Sequence, residues 1–295
     1  GGCGLKREPA AISRPGTSGV VPADSSAQRP RPAFPARLPG STSVPGTAAV
    51  RPSSSAGGAQ PIRAGKAPSQ GPAPLRPAAG AGLDSTAFRA AMVRRLQTHG
   101  LAHAGVVAAM QAVERHRFVD SALVSQAYED TSLPIGLGQT ISKPSVVARM
   151  AELLCEGRDG PLGRVLEVGT GCGYQAAVLS HLSREVYSIE RLRGLHEKAR
   201  ENLRWFRLSN VHLLFGDGML GFERGAPYAG IIAAAGGEAL PQAWLDQLAV
   251  GGRLVAPARS ASGQQHLVVV DRTPQGLVSK TLDVFNFVPL KSGTA

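Results

Sequence analysis

The chain has 295 residues, enough for one or two domains, and a net charge of +11. Residues 1–82 hold ten Lys or Arg against two acids, so they carry +8 of that charge, and the other 213 residues carry only +3. No apolar stretch suits a membrane span or a signal sequence, and the three scattered cysteines (Cys3, Cys155, Cys172) argue against a disulfide framework, so a cytoplasmic location is expected.

Residues 1–82 are rich in Pro, Ala, Ser and Gly, with Phe34 their only aromatic. Such a segment buries too little apolar surface to offset chain entropy, so a disordered basic extension is expected. Its arginines could bind nucleic acid or acidic surfaces non-specifically, and no specific nucleic-acid partner is expected. An ordered domain over residues 83–295 follows. Asp84-Ser85-Thr86 can cap a first helix whose apolar face would include Phe88, Ala91, Met92 and Leu96, with Gly100 at its end. A second helix is expected over residues 104–115, with Val106, Val107, Met110 and Val113 inward. These two helices should cap the main sheet. Residues 127–144 carry Gly136, Gly138 and two prolines, which prevent a long helix. A helix resumes at Pro144 and runs to Cys155, with Ser142 at a natural N-cap position.

Residues 164–175 read Arg-Val-Leu-Glu-Val-Gly-Thr-Gly-Cys-Gly-Tyr-Gln. An apolar strand meets glycines at alternate positions, Gly169, Gly171 and Gly173, and a helix over residues 174–182 follows. Glycine permits the tight strand-to-helix turn and lets a ligand approach the main chain. A second strand ends in Glu190, 21 residues after Gly169, where an acid can accept from ribose hydroxyls. A dinucleotide fingerprint has its third glycine one position later, where this chain has Tyr174. The Gly-x-Gly-x-Gly form is common in enzymes that use S-adenosyl-L-methionine. That ligand has no phosphate, so it depends less on the helix end.

Strands are expected at residues 164–168, 186–189, 211–215, 230–234 and 253–256, with helices at 194–208 and 241–248 between them. This alternation implies an α/β fold with a doubly wound, mostly parallel sheet. Gly216-Asp217-Gly218 follows the third strand at the carboxyl end of the sheet, where Asp217 could accept from an adenine amino group. Runs at 266–271 and 277–284 flank Thr273-Pro274-Gln275-Gly276 and read as an antiparallel edge hairpin. The seven histidines show no metal-ligand spacing, so no metal site is indicated.

Over residues 83–293 these features together resemble the protein-L-isoaspartate O-methyltransferase family. The most specific stretch is residues 127–149, with Tyr128-Glu129-Asp130 and Gly138-Gln139-Thr140-Ile141-Ser142. Residues 165–175, 215–218 and 251–257 and the segment Phe287-Val288-Pro289-Leu290 agree as well. The basic extension lies outside the resemblance. Cys172, Leu137, Glu114 and Gly236-Gly237 depart from the family's usual residues.

The resemblance implies a Rossmann-like methyltransferase fold. It also implies methyl transfer from S-adenosyl-L-methionine to the α-carboxylate of an isoaspartyl residue, leaving S-adenosyl-L-homocysteine. Ser142 corresponds to the family's active-site serine and would orient the substrate carboxylate; Thr140, Ile141 and Val146 would line the same pocket. Gly169, Thr170, Gly171, Cys172 and Gly173 would hold the methionine part of the cofactor, Glu190 and Arg191 the ribose side, and Asp217 and Gly218 the adenine. A carboxylate with a pKa of about 4 is already ionised at neutral pH, so no strong base is needed. Aged isoaspartyl proteins and peptides are the expected partners, with no membrane and a monomeric chain. Three other readings are a related methyltransferase with another acceptor, a dinucleotide-dependent oxidoreductase, and a non-catalytic cofactor-binding adaptor that uses the basic extension.

Overall fold

The computed structural model describes residues 81–259, 263–284 and 287–295, without the side chains of 81–84 and 283. The expected disordered extension therefore lies outside the described residues, apart from its last two positions. Helix α1 (Ala81–Thr98) opens the described chain. It buries Ser85, Arg89, Met92, Val93 and Leu96, which share one stripe at helical spacing. Phe88 was expected on that stripe but is 62% exposed, because it lies about a quarter-turn away from it. Gly100 ends the helix with φ +106°, and Leu101 N–H donates back to Leu96 O at 3.0 Å.

Helix α2 (Ala104–Ala112) stops three residues earlier than expected. Val113 is extended, and the chain leaves the helix there, bringing Arg115 and Phe118 into the core. Helices α1 and α2 pack on each other and on α3 (Pro144–Cys155), and α2 packs also on α4 (Tyr174–Ser180). They thus cap the helical layer rather than the sheet itself.

Residues 127–144 contain a hairpin that the glycines and prolines had concealed. Strands β1 (Leu133–Gly136) and β2 (Gln139–Ile141) pair antiparallel across Leu137-Gly138. Both turn residues have positive φ, +51° at Leu137 and +68° at Gly138, as a tight two-residue hairpin turn requires. A leucine in that conformation is uncommon and costs about 1–2 kcal/mol.

Seven strands form the main sheet in the order β10-β9-β8-β6-β3-β4-β5. They are β3 (Leu162–Val168), β4 (Ser183–Glu190), β5 (Val211–Phe215), β6 (Tyr228–Ala233), β8 (Leu248–Arg259), β9 (Gln265–Thr273) and β10 (Gly276–Val284). The first five named are parallel, and β9 and β10 add an antiparallel edge hairpin, as expected. Alternate residues feed two cores. Val165, Ile232 and Val255 join the core that includes α2, α3 and α4, while Leu166, Ile231 and Leu254 join one containing Trp244 of α6 (Gln242–Gln247). A sheet covered on both faces explains the near-continuous apolar runs. Helix α5 (Arg193–Arg204) follows β4 and buries Leu195, Ala199 and Leu203. A short strand β7 (Ala235–Gly236) pairs parallel with β11 (Val288–Pro289).

The N-cap expected of Ser142 is not formed. Lys143 holds the cap position without a side-chain bond, and Asp130 caps α3 from a distance. Its carboxylate accepts from Ser145 N–H at 2.9 Å and from Ser145 Oγ at 2.8 Å. Asp130→Ala should therefore destabilise the fold by about 1 kcal/mol, as cap losses do. Ser142→Ala should leave the urea midpoint unchanged. A midpoint lowered by Ser142→Ala and not by Asp130→Ala would reassign the cap.

Candidate active site

The chain runs from β3 outward to β4 and β5, then returns to β6 on the other side of β3. Strand order reverses beside β3, and a crevice opens at its carboxyl end, where open α/β sheets bind ligands. The glycine loop issues from that end. Gly169, Gly171 and Gly173 all have positive φ, +91°, +57° and +93°, which a side chain would oppose. Glu190, at the end of β4, clamps the loop. Its Oε2 accepts from Gly171 N–H and its Oε1 from Leu192 N–H, both at 2.9 Å. The carboxylate is 5% exposed and still lines the crevice, so each oxygen keeps a lone pair for a ligand.

The crevice encloses about 350 Å³, within the range of small-molecule sites, roughly 300–1,000 Å³. Of the expected residues, Thr140, Ser142, Gly169, Gly171, Glu190, Arg191 and Gly218 line it. Gly218 must be glycine, because a Cβ there would lie 2.5 Å from Val168 Cγ1. Thr170, Cys172 and Ile141 line instead a small cavity of about 40 Å³, which shares Thr140, Ser142, Gly169 and Gly171 with the crevice. Gly173 faces neither, and a Cβ on it would press on Leu203 of α5. Burial pushes the Cys172 thiol up to about 11, which makes it inert.

Asp217, expected at the adenine, does not line the crevice. Its Oδ1 accepts from Met219 N–H at 2.9 Å, and its Oδ2 accepts from Gly293 N–H at 2.6 Å. The second bond belongs to a strap that sequence periodicity could not reveal. Leu290 N–H donates to Gly236 O, Arg191 Nε to Gly293 O, and Arg193 N–H to Ala295 O. Residues 288–291 thereby line the crevice together with Leu137 and Gly138 of the hairpin.

A further cavity of about 330 Å³ lies beyond Ser142. It shares Thr140, Ser142, Ala234 and Val288 with the crevice, and Val146 and Lys143 line it. Lys143 is exposed and makes no ion pair among the described residues, so it places a free cation at this cavity. The Ser142 hydroxyl likewise has no hydrogen-bond partner among the described residues.

Beneath the loop, Glu167 on β3 is fully buried and accepts from Ser188 Oγ, which also bonds Thr170 Oγ1 at 2.6 Å. Desolvation pushes the Glu167 carboxyl up to about 8, against the opposing pull of the Ser188 hydroxyl. The folded protein therefore holds a proton that the unfolded chain releases near pH 4.5. Stability from this group is complete below about pH 4.5 and is lost as pH rises toward about 8. Glu167→Gln should remove that loss. In urea melts, the variant's stability relative to the wild type should rise between about pH 5 and about pH 8. A constant difference would mean that Glu167 is ionised in the fold.

A family model described as protein-L-isoaspartate(D-aspartate) O-methyltransferase matches residues 87–295. The chain is 54% identical over 280 residues to the protein-L-isoaspartate O-methyltransferase of Methylibium petroleiphilum, covering 92% of this chain and 99% of that one. It is 62% identical over 225 residues to that of Leptothrix cholodnii, covering 75% and 80%. A solved protein-L-isoaspartate O-methyltransferase shares 29% identity at a TM-score of 0.63, over 69% of this chain and 66% of that one. A structure from Plasmodium falciparum in complex with S-adenosyl-L-homocysteine gives 0.59 at 23% identity, over 68% and 97%, a likeness of fold alone. The chain belongs to the protein-L-isoaspartate O-methyltransferase family.

Proposed function

We propose that this chain methylates the α-carboxylate of L-isoaspartyl residues in aged proteins and peptides, with S-adenosyl-L-methionine as donor and Ser142 orienting the acceptor. The observation that carries this reading is the meeting of two cavities at Thr140 and Ser142, one floored by the glycine loop and the other holding Lys143. A donor in the first and a peptide in the second would face each other across the Ser142 hydroxyl.

The glycine crevice suits the donor. Its floor is main chain at Gly169 and Gly171, its side carries Glu190 for ribose hydroxyls, and Gly218 lines it where a flat ring could lie. Asp217 would hold that ring's turn and the strap, and Arg191 ties the strap to the ribose side. S-adenosyl-L-methionine supplies a methyl group already activated on a sulfonium. The acceptor carboxylate is ionised at neutral pH and needs no base. Ser142 Oγ–H donates to one carboxylate oxygen and aims the other, while Lys143 draws the anion in. The protein's contribution is alignment and exclusion of water. An oxygen–carbon bond forms as the carbon–sulfur bond breaks, and no proton moves. The resulting ester carries methoxide, a better leaving group than the oxide of a carboxylate, so the following backbone nitrogen can attack its carbonyl, give up its proton, expel methanol and close a succinimide. Hydrolysis then restores some normal aspartyl linkage.

A cytoplasmic location, a monomeric state and a catalytically dispensable basic extension belong to the same proposal. No helix among the described residues is long and apolar enough to cross a membrane.

Labelled methyl donor should esterify a synthetic isoaspartyl peptide and leave its normal aspartyl counterpart unlabelled. Labelling of both, or of neither with donor bound, would move the search to other acceptors. Ser142→Ala should lower kcat by roughly 100-fold, as loss of alignment does, while donor affinity holds. Undiminished kcat would take Ser142 out of the reaction. Deleting residues 1–80 should leave kcat intact, whereas an adaptor would lose its partner.

A further inference from the structure

Arg115 is fully buried, and no carboxylate lies within ion-pair distance of it among the described residues. Its partners are main-chain oxygens and one ring. Nε donates to Ala127 O at 2.8 Å, and Nη2 donates to Ser142 O at 2.8 Å and reaches Thr131 O at 3.5 Å. The guanidinium carbon stands 4.7 Å from the centre of the Tyr174 ring, within cation–π range. Nη1 has no hydrogen-bond partner among the described residues.

This is a poor device for stability. A buried cation without a counter-ion is costly, and an apolar side chain of similar volume usually serves a core better. The geometry has another use. Residues 127 and 142 are the two ends of the segment that carries the β1–β2 hairpin, and one planar fork grips both. Tyr174 begins α4, directly after Gly173 of the cofactor loop. Arg115 thus ties the acceptor-side segment to the cofactor-side helix through a single rigid group. Lysine has one point charge and no plane, so it cannot reproduce both bonds and the stacking.

We propose that Arg115 is a positioning residue for methyl transfer, holding the Ser142 segment in register with the glycine loop so that the two cavities meet at the Ser142 hydroxyl. The inference rests on the reading of Ser142 given above. Arg115 touches neither donor nor acceptor and acts through Ser142.

A double-mutant cycle tests it on the full chain. Arg115→Lys, Ser142→Ala and their combination are assayed for kcat and KM with an isoaspartyl peptide, and S-adenosyl-L-homocysteine affinity is measured by calorimetry on the same preparations. Arg115→Lys should lower kcat by roughly 10- to 100-fold with that affinity kept, because a small misplacement suffices. The combination should be no more than about 2-fold slower than Ser142→Ala alone, since residues acting through one group are not additive. Arg115→Met is the second variant. It removes the bonds without leaving a buried charge unsatisfied, the cost that burdens the lysine variant, and it should show the same fall in kcat. Wild-type kcat in both Arg115 variants, losses that multiply in the combination, or loss of affinity alongside kcat would each overturn the proposal. Wild-type kcat in Ser142→Ala would instead sink the reading of Ser142, and Arg115's part with it. A slow Ser142→Ala beside fast Arg115 variants would sink Arg115's part alone.

Discussion

The carboxylate of Glu190 organises the site. It sits where β4 ends beside β3, and its two oxygens hold Gly171 N–H and Leu192 N–H. One bond fixes the glycine loop and the other fixes the entry to α5. The strand order makes this possible, because β3 lies between β4 and β6 and the chain departs from it in both directions. A parallel sheet that reverses its order must leave a gap at the carboxyl ends of its strands. Glu190 borders that gap while holding the loop that floors it.

Around this frame the protein keeps several arrangements that a stability-driven fold would avoid. Glu167 is buried beneath the loop with one oxygen unpartnered among the described residues. Leu137 takes a left-handed backbone angle at the tip of the hairpin and is 62% exposed. Its side chain nonetheless bears on α5, where a Cβ on Gly194 would come within 3.1 Å of Leu137 Cδ1. Arg115 is buried with no carboxylate in ion-pair distance among the described residues. Arg115 grips the Ser142 segment, Leu137 lines the crevice and Glu167 lies beneath the glycine loop, and strain of this kind collects where geometry matters more than stability.

The sheet and the glycine loop were legible in the sequence because both rest on local rules. Five apolar runs bounded by turn residues gave five parallel strands, and β5 matched its expected limits, residues 211–215. The acid at the end of β4 was legible from its spacing. The misreadings involve partners distant in sequence. Ser142 looked like a cap because it precedes Pro144, yet Asp130, 15 residues before Ser145, does the capping. Nothing local announced that Gly293, 76 residues from Asp217, would donate to one of its oxygens. The hairpin escaped notice because its turn uses Leu where Asn or Gly is usual. Phe88 was placed inward because buried Arg89, a polar residue, sets the phase of the helix.

The arrangement of two cavities around one hydroxyl is tested most directly by a crystal structure with S-adenosyl-L-homocysteine and an isoaspartyl peptide bound together. The expected result has the thioether sulfur over the glycine loop, the peptide in the cavity beside Lys143, and the isoaspartyl α-carboxylate hydrogen-bonded to Ser142 Oγ between them. A peptide bound elsewhere, or a carboxylate turned away from Ser142 and from the sulfur, would contradict it.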